Sequence, residues 1–446
     1  MSTKLGPSAA NNPATAAQPV RVRTFGPVVR VASGNFLEMY DFQVFGYYAP
    51  AIARAFFPSG NEFASLLLSL VTFGAGFLMR PLGAIALGAY MDHRGRRDGL
   101  LLTLGLMAIG TVSIVCTPSY ASIGLIAPLL VVAGRLVQGL SAGVEAGSVS
   151  VYLYEFATPG HKGFYTSWQA ASQQVAVMFA AVLGLGLTSR LTNDQMTRWG
   201  WRLPLLVGCM IIPLLFLLRR SLRETPEFLQ RKRHPSPREI LRTLVGNWRI
   251  VVLGILLAAM NTVWFYMITI YTPTFGSAVL HLAARDNMVV TLCVGTSNFF
   301  WIPIMGAVSD RIGRRSQLAA VSVLALLTAY PVLSWLVNGA SFSRMMAVEL
   351  WLSFLFASYN GAMAPFLTEI TPADVRTSGF SLVHSSAAAI FGGFTPAIST
   401  YLIHATGNGA IPGLWLSFAT ACGLIATALL SSPGVARPFC EARTHP

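Results

Sequence analysis

Apolar residues occur in repeated blocks of about 20 or more along this 446-residue chain. A helix needs about 20 such residues to cross roughly 30 Å of hydrocarbon. Only 11% of the residues are charged, against about 25% in soluble domains. The blocks predict an all-α integral membrane protein embedded in a lipid bilayer. Its twelve spans are expected at residues 27–55, 63–91, 98–117, 122–154, 163–188, 200–218, 248–278, 287–308, 316–337, 344–370, 377–404 and 411–431.

A basic, proline-containing segment separates the spans into two sets of six. Lys and Arg concentrate in the loops of one side, which the positive-inside rule assigns to the cytoplasm together with both termini. The predicted organisation is a disordered cytosolic tail (1–26), a six-helix bundle (27–218), a basic cytosolic linker (219–247), a second six-helix bundle (248–431) and a cytosolic tail (432–446).

Several classes of function are disfavoured by the distribution of residues. The net charge of +14 arises in short loops, so no nucleic-acid partner is expected. The sequence contains no phosphate-binding loop and no metal-ligand cluster, which predicts no cofactor, no metal and gradient-driven transport. Gly139-Leu-Ser-Ala-Gly143 matches a hydrolase motif, but within an apolar span such glycines favour close helix packing. We therefore expect no catalytic residues and no enzyme.

Two motifs repeat between the halves. Gly88-Ala-Tyr-Met-Asp92-His-Arg-Gly-Arg-Arg follows span two, and Gly306-Ala-Val-Ser-Asp310-Arg-Ile-Gly-Arg-Arg follows span eight. Tyr154-Glu155-Phe-Ala-Thr-Pro ends span four, and Thr368-Glu369-Ile-Thr-Pro ends span ten. The sequence interval between the two Asp residues is nearly the same as that between the two Glu residues. Two motifs at nearly one offset indicate an internal duplication.

These repeated loops resemble the signature of the major facilitator superfamily over about residues 27–431. Within it, the chain resembles the metabolite:proton symporter family, citrate and tricarballylate members in particular. The motifs that carry this similarity are Asn35-Phe-Leu-Glu-Met-Tyr-Asp-Phe42, Arg80-Pro-Leu-Gly83, Gly134-Arg-Leu-Val-Gln-Gly139, Trp199-Gly-Trp-Arg-Leu-Pro204, Arg219-Arg-Ser-Leu-Arg-Glu-Thr-Pro-Glu-Phe228, Ala157-Thr-Pro-Gly-His-Lys-Gly-Phe-Tyr-Thr-Ser-Trp-Gln169 and Phe391-Gly-Gly-Phe-Thr-Pro396.

The resemblance implies the major facilitator fold and import of a tricarboxylate, citrate or tricarballylate, together with protons across a bacterial inner membrane. Alternating access of the two bundles to a midplane site would carry the substrate. The alternative is a proton symporter of the same family for a dicarboxylate or a zwitterion such as betaine. The expected partners are thus a small carboxylate and protons, and the chain is expected to act as a monomer.

Charged residues within the predicted spans are the main candidates for binding substrate and protons. Charged residues deep in a span are costly and usually functional, and four such residues lie near the midplane of the first half. Glu38 and Asp41, three residues apart on one helix face, are the candidates for proton coupling. Arg135, and secondarily Arg80, would bind a carboxylate through the planar fork of a guanidinium. The four charges could instead neutralise one another in a structural network.

The other candidates are polar groups or loop charges. The second half is expected to hold no comparable buried charge and to contribute amides and hydroxyls. The predicted substrate-binding set is Arg80, Arg135, Gln138, Gln169, Gln173, Asn298, Tyr359 and Asn360. A cytosolic gate of interhelical ion pairs is expected from Asp92, Arg94, Arg96, Glu155, Asp310, Arg311, Arg314 and Glu369.

Overall fold

The computed structural model describes residues 34–94, 96–220, 237–372 and 375–430. These ranges are almost entirely helical and contain no strand. The predicted tails of residues 1–26 and 432–446 lie outside the described residues, as does most of the predicted linker, residues 221–236. Within the linker range, a short helix, Pro237–Gly246, precedes the seventh span.

Eleven helices in the described ranges are long and apolar enough to cross a membrane, and they coincide with predicted spans two to twelve to within four residues at each end. The fold prediction is confirmed for these spans. They are α2 (Glu62–Met91), α3 (Asp98–Cys116), α4 (Ile126–Phe156), α5 (Lys162–Thr188), α6 (Met196–Leu217), α7 (Trp248–Ala278), α8 (Ala284–Ile312), α9 (Arg314–Val337), α10 (Phe342–Ile370), α11 (Arg376–Thr406) and α12 (Pro412–Leu430).

The first span is described from Gly34 and consists of two helices, α1a (Gly34–Tyr47) and α1b (Ala49–Phe56). Side chains 37–49 are buried, and the Tyr40 hydroxyl donates a 2.6 Å hydrogen bond to the carbonyl of Pro204 in α6. Span one therefore lies inside the bundle. Large apolar side chains cover the outer surface instead, as a lipid-exposed protein requires, among them Leu78, Ile109, Leu129, Met210, Leu217 and Leu327.

Helix interruptions cluster near the middle of several spans. α2 is broken at Met79, directly before Arg80, and α4 is broken between Ala142 and Glu145. A π-helical turn interrupts α7 at Tyr266–Tyr271 and α11 at Ala388–Gly392. Irregular backbone at membrane depth is tolerated where protein surrounds it, and π turns are frequent at functional sites. The interruptions thus mark the region where a binding site is expected.

The two sets of six helices contact each other along α5 and α8, α2 and α11, and α1a and α7. Glycines allow the closest approaches. A Cβ atom at Gly163 of α5 would overlap the carbonyl oxygen of Gly306 in α8, and one at Gly74 of α2 would overlap the ring of Phe394 in α11. We call the end of the bundle near Gly163 and Gly306 the signature end, because the repeated loops lie there.

Candidate substrate and proton site

Arg135 of α4 is fully buried, and aromatic rings surround its guanidinium. The guanidinium carbon lies 4.3 Å from the ring centroid of Phe42 and 4.5 Å from that of Phe45. Nη1 donates a 2.8 Å hydrogen bond to Oε1 of Gln138, one turn further along α4. Nε and Nη2 have no hydrogen-bond partner. These two nitrogens lie on one edge of the guanidinium, so they can donate to both oxygens of one carboxylate.

Asp41 of α1a lies on the other side of Gln138. Its Oδ2 accepts a hydrogen bond from the Thr111 hydroxyl of α3 and a 3.4 Å hydrogen bond from Nε2 of Gln138. Its Oδ1 has no hydrogen-bond partner and points towards Gly208 of α6. Asp41 and Arg135 are therefore linked through Gln138 and are not in direct contact.

Arg80 and Glu38 form a separate, direct pair. Nη2 of Arg80 lies 3.1 Å from Oε1 of Glu38, and the two side chains are 2% and 4% exposed. The Arg80 guanidinium also lies 4.2 Å from the Phe77 ring centroid and 4.6 Å from that of Phe42. The predicted alternative of mutual neutralisation thus describes Arg80 and Glu38, whereas Arg135 forms no ion pair with a described carboxylate.

The second half reaches this cluster through Tyr266, at the start of the π turn in α7. Its ring meets that of Phe77 edge-on, with centroids 5.0 Å apart, and that of Phe73 with centroids 6.2 Å apart. Phe73 in turn lies 5.2 Å from the Arg135 guanidinium. An aromatic face from α7 therefore closes the arginine cluster from the other half.

The predicted polar residues of the second half divide into two groups. Asn298 of α8 joins the halves, because its Nδ2 donates to Oε1 of Gln174 in α5 at 3.4 Å and its Oδ1 accepts from Ser353 at 2.8 Å. Tyr359 and Asn360 bond within the second half, Tyr359 to the carbonyl of Leu257 at 2.9 Å and Asn360 to Asn261 at 2.7 Å.

Three glutamines of α5, among them the predicted Gln169 and Gln173, differ in burial and contacts. Gln169 is buried, Gln173 is half-buried, and Gln174 is fully buried. The amide that contacts the second half belongs to Gln174, one residue after the predicted Gln173. A helical step of about 100° explains the difference, since the sequence spacing identifies a shared face but not the direction it points.

Four of the eight predicted gate residues, Glu155, Asp310, Arg314 and Glu369, form contacts at the signature end. Both carboxylate oxygens of Asp310 accept backbone N–H groups of α5, from Gly163 at 2.8 Å and Phe164 at 3.0 Å. Arg314 pairs with Asp310 at 2.8 Å and with Glu369 at 3.4 Å.

Glu155 pairs across the halves at this same end, with Arg376 of α11 at 3.6 Å. Arg311 is exposed and lies outside these contacts. The side chains of Asp92, Arg94 and Arg96 lie outside what the structure describes. The described contacts close the signature end in this conformation.

A cavity of about 910 Å³ occupies the opposite end of the bundle. Residues of both halves line it, including Tyr47, Tyr48, Tyr271, Asn287 and Thr400. Since the signature end is closed and this end holds the cavity, the conformation favours access from the side opposite the signature loops.

The expectation that the second half holds no buried charge is wrong. Glu349 of α10 is 1% exposed. A fifth buried charge, Glu145 of α4, is present in the first half and accepts a 3.1 Å hydrogen bond from Thr103. Each acid is surrounded in the sequence by apolar residues, so it does not interrupt the apolar span that contains it. Glu349 could have been found from the repeat, because the interval from Arg135 to Glu349 equals the interval from Glu155 to Glu369.

Known proteins are similar in sequence to almost the whole of this chain. The sugar (and other) transporter family matches residues 28–248. The citrate-proton symporter of Salmonella typhi is 58% identical over 422 residues, which cover 95% of this chain and 96% of that protein. The chain belongs to the major facilitator superfamily. It is a multi-pass membrane transporter and not an enzyme.

Two further similarities concern its sequence and its fold. The α-ketoglutarate permease of Escherichia coli is 35% identical over 379 residues, covering 83% of this chain and 85% of the permease. The crystal structure of a D-xylose-proton symporter superposes with a TM-score of 0.72, covering 92% of this chain and 98% of that chain at 15% identity. The second similarity establishes the fold.

Proposed function

We propose that this chain is a proton-coupled symporter that imports citrate or a similar tricarboxylate, such as tricarballylate, across the bacterial inner membrane. The observation that carries the proposal is Arg135, a fully buried guanidinium whose Nε and Nη2 have no partner. A neutral substrate would leave these donors and their charge unsatisfied, whereas a carboxylate satisfies both. The 58% identity to a citrate-proton symporter supports the tricarboxylate.

Coupling follows from the chain of side chains between Arg135 and Asp41. An anion that binds Arg135 weakens the electrostatic support that the guanidinium gives to the Asp41 carboxylate, and a proton on Asp41 compensates. Gln138 transmits any movement of Arg135 directly, because its amide contacts both groups. Substrate and proton therefore bind cooperatively. Glu38 is the weaker candidate for the proton, since Arg80 already neutralises it at 3.1 Å.

We further propose that the two six-helix sets, residues 27–218 and 248–431, alternate as units about this site, with the signature end and both termini in the cytoplasm. The Asp310 contacts to α5 and the Glu155–Arg376 pair would break when the signature end opens. The proton gradient supplies the driving force, and no cofactor is required.

A dicarboxylate is the second candidate, because the α-ketoglutarate permease is 35% identical over most of this chain. Substrate competition separates the candidates. Purified protein in proteoliposomes loaded with unlabelled citrate should exchange labelled citrate, and tricarballylate should compete while α-ketoglutarate and betaine compete weakly. Strong competition by α-ketoglutarate with weak competition by tricarballylate would replace the tricarboxylate with a dicarboxylate.

A further inference from the structure

Glu349 is a buried acid for which the coupling mechanism above has no use. It lies in α10 and is 1% exposed. Its Oε1 accepts a 3.1 Å hydrogen bond from the Thr272 hydroxyl of α7, and its Oε2 has no hydrogen-bond partner. An isolated ionised carboxylate is costly in an apolar interior, and such a group binds a proton instead. Glu349 therefore has the surroundings of a proton-binding group.

No cation among the described residues compensates this carboxylate. α10 packs against α4, α5, α7, α8, α9 and α11. Several titratable groups on these helices interact with residues other than Glu349. Two arginines form ion pairs with other acids, Arg314 with Asp310 and Glu369, and Arg376 with Glu155. The others form hydrogen bonds: Tyr271 with Thr400, Lys162 with Tyr154, and Tyr330 with Asn408. Arg315 donates to the carbonyl of Leu430, and Arg344, on α10 itself, donates to the carbonyl of Trp335.

The remaining titratable groups on these helices also form no ion pair or hydrogen bond with Glu349 in the described part of the chain. Arg285 and Asp286 lie at the start of α8, and the His384 ring of α11 stacks on Phe380. Among the described residues, the hydrogen-bond donor to Glu349 is the uncharged Thr272.

The position of Glu349 connects it to both the repeat and the cavity. Its offset from Arg135 is that of the repeated Glu155 and Glu369, so the duplicated helix holds an acid where the first copy holds the substrate-binding cation. Thr272 directly follows the π turn of α7, and the residues on either side of it, Tyr271 and Pro273, line the 910 Å³ cavity. The hydrogen bond from Thr272 therefore joins Glu349 to the segment of α7 that borders the cavity.

We propose that Glu349 is a second proton-binding residue of this transporter, so that a proton binds in each half during the transport cycle. The proposal rests on the proton-coupled transport proposed above. Two protons would offset part of the negative charge of a tricarboxylate while it crosses the membrane. A buried acid that never releases its proton would form the same contacts in this conformation. The test must therefore detect proton binding and release by Glu349.

The decisive experiment counts protons and observes the carboxyl group. Proton uptake per citrate bound is measured with a pH indicator in weakly buffered detergent solution for wild type, E349Q and the control E62Q. Glu62 is an exposed acid at the mouth of the cavity. The expected result is a loss of about one proton per citrate in E349Q and no change in E62Q. An unchanged count in E349Q overturns the proposal.

Infrared difference spectroscopy supplies a substrate-free readout. The carbonyl band of a protonated carboxyl group should appear and disappear with pH in the wild type and be absent from E349Q. A Glu349 band that is present, or absent, at every pH overturns the proposal. If E349Q does not fold, E349D replaces it, and the band should shift in frequency and in its pH midpoint. Failure of citrate binding by the wild type would instead reject the proposed function and leave the infrared test intact.

Discussion

The carboxyl group of Asp41 is joined to the guanidinium of Arg135 by one intervening side chain, Gln138, which accepts from Arg135 at 2.8 Å and donates to Asp41 at 3.4 Å. Both charged groups keep unpartnered atoms, Oδ1 on Asp41 and Nε and Nη2 on Arg135. A proton site and an anion site thus share one hydrogen-bonded chain, and each has capacity left for its own ligand.

Replacing Asp41 by Asn removes the titrating group and retains the shape of the side chain. We expect D41N to lose gradient-driven citrate uptake while it still exchanges citrate for citrate, because exchange needs no net proton movement. The pH dependence of exchange should also flatten. Uptake and counterflow assays on the same vesicles measure both. Loss of exchange together with uptake, in a correctly folded variant, would assign Asp41 to structure and not to coupling.

Replacing Arg135 by Lys keeps the charge but removes the paired donors. Hydrogen bonds to charged groups contribute about 1.5–3 kcal/mol, and each 1.4 kcal/mol is about tenfold in affinity. R135K should therefore raise the KM for citrate by roughly 10- to 100-fold. The matched control is R198K, at an exposed arginine paired with Asp194, and its KM should remain that of the wild type. A wild-type KM in R135K would contradict bidentate binding.

Replacing Gln138 by Leu cuts the connection between the two sites without removing either charge. We expect the citrate affinity of Q138L to depend less on pH than the affinity of the wild type does. Isothermal titration at several pH values gives this dependence directly. Gln195 is an exposed glutamine outside the bundle core, and Q195L should leave the pH dependence unchanged. An intact dependence in Q138L would mean that coupling runs through another route.

Breaking the Glu38–Arg80 pair tests its structural role. E38Q leaves a buried guanidinium without its anion, and breaking a buried pair in this way costs about 3–5 kcal/mol. Thermal unfolding in detergent should show a marked loss of stability in E38Q and recovery of most of it in E38Q/R80Q. If E38Q unfolds at the wild-type temperature, Glu38 is not held by this pair and regains its place as a proton candidate.

A methyl group on Gly163 should open the signature end. The Cβ of G163A would overlap Gly306, so α5 and α8 must separate where Asp310 binds the start of α5. A cysteine introduced near this end should react faster with a water-soluble maleimide in G163A. Gly186, on the same helix, has open space around it, so G186A should react as wild type does. Equal rates in all three proteins would refute the gate.

The fold was largely predictable because hydrocarbon thickness fixes span length, and the repeated Asp92 and Asp310 motifs indicate the duplication. Counting residues along each span also predicts that Glu38, Asp41, Arg80 and Arg135 come close together, as their contacts show. Their pairing was not predictable, since rotation of α1a relative to α2 and α4 decides which acid meets which arginine. The contact of both guanidiniums with the ring of Phe42 depends on the same packing.

Sequence patterns did not predict the burial and contacts of single residues that differ in character from their neighbours. Glu349 is one acid in an apolar helix, and hydropathy averaged over a span hides it. Gln174, which is outside the predicted binding set, contacts Asn298, whereas the neighbouring Gln173 is half-buried, because a one-residue change rotates a helical side chain to another face. The π turns of α7 and α11 carry no clear sequence signal, and they shift the register of every residue that follows them.

The most direct test of the central claim records citrate uptake and proton movement together in proteoliposomes. Labelled citrate and an internal pH indicator are followed with and without an inward proton gradient, for wild type and D41N. Coupled symport predicts citrate accumulation only with the gradient, internal acidification in step with citrate entry, and neither in D41N. Citrate accumulation that is unaffected by the gradient and by a protonophore would contradict the account.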